Sequence, residues 1–483
     1  MNSYAIYIIK YYLKSNNFDD NYLKFLTEQL NDEYLLLFSS LLNKGNKQLS
    51  FDILIILINI TFTQQGELLF GKEENVINNI SVFLGNNKTD NVLLGYGFLL
   101  IKHITTHNSL VKHILYKYKI IEFINDIYQM HILDSFLMDN LISCLGRFIN
   151  LRFEKNKNFL GSIKIIKSQL NKNTEIFLLI KYIKILYNLA FYDDQTILKQ
   201  MFDEDIYKNL LELFPFDDDY FININKNMKF NYINNDINID NKEYYKEKLR
   251  DLRILILKTI GRILGVKEKK YIQKIIDFGF YQFLNQLLKL TDIKIIKYAF
   301  YCIGSICKGT FGQIKNLYDN NTISLAYIVA KKVYENIKNN KLNKELLEEY
   351  FKALKEIIFC FCLLILNSLN EKLIPFINSD NYFIISLLKE GLKLFEDNTK
   401  NETLIITIFD AFSHLLKLPN NNFLLFLEQN GFREILNKLL INSKEEIVDK
   451  AQKFYDEYFD DDIDDNTDKI NINDIIEENE SDN

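Results

Sequence analysis

The chain has 483 residues, 48% of them hydrophobic, which is material for several domains or one long array, so length alone leaves the domain count open. With only 3 Pro and 16 Gly, strand-and-turn punctuation is scarce and helices are favoured. A net charge of −6, with no stretch combining basic and aromatic residues at a stacking spacing, argues against nucleic-acid binding and leaves proteins as the expected partners.

Taken in order, residues 1–19 form a short N-terminal segment whose apolar stretch lacks a small-residue cleavage site. From about residue 20 to 455, windows of roughly 40 residues repeat one plan, an apolar helical stretch followed by a polar break. Examples are 51–62, 93–104, 139–150, 180–191, 255–265, 297–309 and 407–417. Each is apolar nearly all round, as an inner helix covered on both sides by neighbouring repeats would be. The spacing predicts an all-α fold, an armadillo-type right-handed superhelical solenoid of about ten repeats. It is interrupted at 214–248, where Asn and Asp crowd without period and an inserted loop is expected. Abundant Asn elsewhere is read as compositional drift. Residues 456–483 are strongly acidic and are expected to be a disordered tail.

Chemistry-bearing patterns are sparse. The five cysteines, at 144, 302, 307, 360 and 362, form no CxxC pair, and Cys360 and Cys362 lie in an apolar run as buried hydrophobes. That run, 357–366, is about half the length a membrane span needs, so no membrane association is expected. His103, His107 and His113 lack a carboxylate or Cys at ligand spacing, so no metal is expected. The Gly-Lys pair at 71–72 and the Gly-Tyr-Gly at 95–97 lack the glycine spacing of a nucleotide loop. No nucleophile–base constellation stands out; the expectation is a non-enzyme without cofactor.

The stretch 297–319, KYAFYCIGSICKGTFGQIKNLYD, resembles the most distinctive armadillo repeat of the importin-α family, with Lys297, Ala299, Ile303, Ile306, Gly309, Gln313, Ile314 and Asp319 on the pattern. Segments 49–61, 257–265 and 407–465 resemble other family repeats, in the same order. The resemblance implies an adaptor for nuclear import, moving between cytoplasm and nucleus, that binds protein cargo bearing a basic localisation signal. In the family a Trp column makes slots for Lys and Arg stems, and an Asn four residues later bonds the peptide backbone. Here the Trp column reads Ile55, Leu99, Ser143, Lys184, Lys258 and Tyr301, and the Asn column Asn59, His103, Arg147, Asn188, Arg262 and Ser305. The resemblance therefore implies Asn59, Asn188, Tyr301 and Ser305 as cargo-peptide residues, while Arg147, Lys184 and Arg262 would repel a basic peptide. It implies export-receptor docking at Asp460, Asp461, Asp462, Asp464 and Asp465. The basic importin-β-binding segment has no counterpart, because only Lys10 and Lys14 precede the first repeat; either importin-β is not engaged or the chain starts late in the family's frame. The alternative is an armadillo scaffold that has lost signal recognition, with Asn59 an ordinary Asn and Tyr301 a packed aromatic.

Overall fold

In the computed structural model, the residues described are 32–459 except 45, 63–68, 107, 131–133, 150–158, 192–193, 219–241, 340–341, 396–400, 419–421 and 443. Among them every regular element is helical, and no helix is long and apolar enough to cross a membrane. Nine helices recur as the last member of successive two- or three-helix groups: α1 (Lys47–Ile60), α2 (Asn91–Ile104), α3 (Ser135–Ile149), α4 (Ile176–Phe191), α5 (Lys242–Ile263), α6 (Ile293–Cys307), α7 (Lys344–Asn367), α8 (Glu402–Leu416) and α9 (Glu445–Tyr458). We call them the ladder helices. The described residues thus hold nine repeats, against about ten expected.

The chain divides into two compact units, one ending at Phe280 and the other beginning at Tyr281. In the first, α1 packs on α2, α2 on α3, α3 on α4 and α4 on α5; in the second the order is α6, α7, α8, α9. This neighbour-to-neighbour packing is what makes a repeat array, in which each unit of sequence buries its apolar surface only against the next.

The two helix types in a repeat differ in how they are buried. On α1, Ile53, Leu54, Ile56, Leu57, Ile58 and Ile60 are all buried, covering most of the circumference. The outer helix Lys269–Asp277 buries only the stripe Tyr271, Ile272, Ile275 and Ile276. A single stripe suits a helix with one face to water, and burial all round suits one sandwiched between repeats.

Asn residues that look like compositional drift do structural work at helix starts. The side chains of Asn46, Asn108 and Asn343 accept hydrogen bonds from the backbone N–H groups of Leu49, Val111 and Leu346. Asp90, Asp194 and Asp292 cap in the same way. Each satisfies a first-turn donor that has no partner within the helix, worth about 1 kcal/mol. The turn after α6 is a capping box: Thr310 Oγ accepts from Gln313 N, and Gln313 Oε1 accepts from Thr310 N at 3.0 Å. Gly309 precedes it, and a Cβ there would stand 2.7 Å from the carbonyl oxygen of Ile306, so the glycine is a packing requirement of this corner.

The structure departs from two boundaries read in the sequence. Residues 242–248, expected to belong to the inserted loop, are the first two turns of α5; residues 219–241 of that loop lie outside the described residues. Further along α5, Arg253 donates to the Pro215 carbonyl at 2.7 Å and pairs with Asp218, which ties the helix to the chain entering the insertion. The acidic tail begins later than 456, because α9 runs to Tyr458 and Phe459 is 3% exposed, its ring stacked on Phe432 with the Arg433 guanidinium 5.3 Å from its centroid. An aromatic residue at the edge of an acidic run is enough to anchor one more turn.

Candidate functional site

An α-helix places residues i and i+4 one above the other on one face. Ser143 and Arg147 lie so on α3, and Lys184 and Asn188 on α4. The two pairs are brought together: with Lys102 of α2, Ile142, Gly146, Lys181 and Ile185 they line a cleft of about 350 Å³ within the first unit. Ile142 and Ile185 are buried and form its apolar floor. Gly146 opens it, since a Cβ at this position would meet only Ile185, at 3.6 Å.

The charges of the cleft are of one sign. Lys102, Arg147 and Lys184 make no ion pair among the described residues, while Lys181 is paired with Asp139 at the edge. Behind the wall, Cys144 donates from Sγ to the Phe98 carbonyl at 3.0 Å. Burial pushes its thiol well above the ordinary range against the opposing pull of Lys102 and Arg147, so it is a core group and no nucleophile. One rung on, Arg262 of α5 lies with its guanidinium 4.5 Å from the centroid of the exposed Phe191 ring, a cation–π contact.

The other positions of the two columns fall as follows. Ile55 and Leu99 are half-buried apolar residues on α1 and α2. Asn59 is half-buried, and its side chain makes no hydrogen bond among the described residues. His103 packs edge-on against Phe62 at 4.9 Å, and His113 Nδ1 lies 2.6 Å from the Ser109 carbonyl; His107 is outside the described residues. In the second unit, Tyr301 and Ser305 stand one turn apart on α6, and the Ser305 hydroxyl donates to the Tyr301 carbonyl at 2.9 Å. Asp460, Asp461, Asp462, Asp464 and Asp465 lie outside the described residues.

The Gly-Tyr-Gly of α2 has a packing explanation. A Cβ on Gly95 would come 2.7 Å from the Phe136 ring, and one on Gly97 2.5 Å from a Leu84 methyl. Both glycines admit close neighbours, the usual reason for glycine inside a helix.

Residue type at each column position can be read from sequence, but the pairing state cannot. That Lys181 is neutralised and Lys102, Arg147 and Lys184 are not depends on where Asp139 sits. Lys102 belongs to neither column and was reached only through the structure. The signal that could have found it is its place one residue before His103, on the adjoining edge of the same face.

No protein-family model and no curated protein matches the sequence. Among solved structures, the chain is similar to an engineered protein, with a TM-score of 0.66 and 13% identity over 94% of each chain. It is also similar to a chain in a study of the interaction between cadherin and β-catenin, with a TM-score of 0.63 and 11% identity over 95% of this chain and 84% of that one. A designed armadillo repeat protein in complex with a (KR)4 peptide aligns at 18% identity over 61% of this chain and 99% of its own, with a TM-score of 0.42. The first two likenesses, together with the ladder described above, identify the fold as an all-α, armadillo-like array of helical repeats.

Proposed function

We propose that this protein is a protein-interaction scaffold, not an enzyme, and that it holds an extended segment of a partner against the ladder face of its helical repeats. The observation that carries this reading is the cleft built from Ser143, Arg147, Lys184 and Asn188 on adjacent ladder helices. It offers an apolar floor, uncharged hydrogen-bonding side chains and charged stems in one concavity, the mixture that peptide sites use. The test is an array of extended peptides of varied charge, read at physiological salt with the wild-type chain and with Gly146→Leu. That substitution adds bulk to the cleft, places a Cβ that meets no backbone, and replaces a helical glycine with a better helix former. Peptides that bind wild type and are lost on Gly146→Leu are the expected result. An array with no binder, or binders indifferent to the substitution, overturns the reading.

A narrower reading has one observation in its favour. The resemblance to importin-α is densest at 297–319, and Tyr301 and Ser305 occupy consecutive turns of α6 there. On that reading the protein is an import adaptor shared between cytoplasm and nucleus, its cargo carries a basic localisation signal, and an export receptor docks on Asp460, Asp461, Asp462, Asp464 and Asp465. Arg147 and Lys184 stand against it, because they put like charge where a basic peptide would lie. A titration with a fluorescent basic-signal peptide and its scrambled control separates the two. If the adaptor reading holds, Tyr301→Ala and Asn59→Ala each weaken sequence-dependent binding by about 1 kcal/mol. Equal binding of the scrambled peptide removes the adaptor reading and leaves the scaffold.

A further inference from the structure

We propose that the cleft between α2, α3 and α4 is a docking site for an acidic, extended segment of a partner protein; the proposal rests on the scaffold reading and specifies its ligand. Three cations on three successive ladder helices, Lys102, Arg147 and Lys184, face one concavity with no carboxylate paired to them among the described residues. Like charges gathered on low-dielectric walls repel one another in the empty state and concentrate anions near the surface. The choice is local, since the chain as a whole has a net charge of −6 and an anion is attracted to this face rather than to the molecule as a whole.

The lining favours a peptide over a nucleic acid. Among the described residues it contains no aromatic side chain, so bases have nothing to stack on. It does contain the hydroxyl of Ser143 and the amide of Asn188, which suit a peptide backbone, and the floor of Ile142 and Ile185, which suits short apolar side chains. Spacing adds a register. Packed helices stand about 8–10 Å apart and an extended chain advances about 3.3 Å per residue, so one rung corresponds to roughly three residues. The segment expected is therefore acidic at about every third position, Glu-x-x-Glu-x-x-Glu, with small apolar or polar residues between.

The experiment uses the full chain and four fluorescent probes: a peptide of about ten residues with glutamates three apart, the same composition with the glutamates clustered, the spaced peptide with Lys for Glu, and single-stranded oligouridylate. The spaced acidic peptide should bind saturably and best, and more weakly as salt rises. Arg147→Glu combined with Lys184→Glu should lower its affinity by at least about tenfold, since each reversal turns an attraction into a repulsion. Lys332→Glu, an exposed lysine of the second unit, should leave it unchanged. Thermal melting of both variants checks that they fold. Preference for the Lys peptide or for oligouridylate, or indifference to the double reversal in a folded protein, overturns the proposal. If those preferred peptides are still lost on Gly146→Leu, the scaffold reading stands without its acidic ligand. If no peptide of either sign binds, both fall.

Discussion

The two units build their ladders by the same packing and present different charge. In the first unit, α2 carries Lys102 and α4 carries Lys181 and Lys184, with no Asp or Glu on either helix. In the second, α8 carries Glu402 and Asp410 with no Lys or Arg, and α9 carries more carboxylates than cations. Several charges of the second unit's last ladder helices are neutralised: Asp410 pairs with Lys450, Glu402 with Lys444 at 3.0 Å, and Glu457 with Lys417 at 3.2 Å. Inside, both are alike, with aromatic and aliphatic residues passed from one ladder helix to the next. What differs is the surface left over after the core is satisfied, and that remainder is where a repeat protein acquires selectivity.

The largest expected effect tests the shared part of this comparison. Phe361 on α7 is fully buried, with its ring 6.0 Å from Phe300 of α6 and 5.8 Å from Phe376. Phe361→Ala should cost the second unit about 3–5 kcal/mol, seen as faster hydrogen exchange along α6 and α7. Full protection there would show that the ladder is not held by its aromatic relay. Next in size, Gly95→Val should destabilise the first unit by about 1–3 kcal/mol through overpacking against Phe136, measured by chemical denaturation; a neutral result would mean that α2 and α3 can move apart.

A smaller effect depends on pH. Asp90 caps α2 by accepting from Val92 N and Leu93 N, both at 3.1 Å, and pairs with Lys47 at 2.6 Å. Burial raises its pKa, but Lys47 and the two amides outweigh that and hold the carboxyl below its ordinary 3.8. A depressed carboxylate contributes stability in full above the unfolded pKa and loses it as pH falls through the folded one. Asp90→Ala should therefore cost about 1 kcal/mol near neutral pH. The gap between variant and wild type should narrow as pH drops below the ordinary 3.8. A gap of constant size down to strongly acid pH would assign the cost to something other than the charged cap.

The smallest effect sharpens the charge contrast. Lys184 is exposed and makes no ion pair, so Lys184→Ala should change stability by no more than about 0.5 kcal/mol. A clear loss of stability on denaturant titration would mean that the residue serves the fold rather than a ligand.

Much of the architecture was legible before any coordinates. Segments such as 51–62 and 180–191 are apolar nearly all round, which suits the inner helix of an array, so the ladder could be read off with its period. Boundaries were harder. Residues 242–248 are mostly charged and follow an Asn-rich stretch, yet they open a helix in which Tyr245 is already buried and whose later turns, with Leu252, Ile256 and Ile260, carry more of the packing. The Asn caps were hidden in a composition already rich in Asn. For the site, the columns were legible as residue types at i and i+4, whereas the cleft was not. It exists because Gly146 on one helix faces Ile185 on the next, a long-range fact that local pattern does not contain.

The cysteines have a practical consequence. Cys302, Cys307, Cys360 and Cys362 are buried in the second unit and Cys144 in the first, none of them in a disulfide. A thiol reagent can reach none of them until its surroundings open, and each alkylation adds a fixed mass. The number of labels carried by a partly modified molecule then states which half has opened, four for one and one for the other. The chain thus carries its own reporter of which repeats loosen first, readable by mass spectrometry without a single engineered residue.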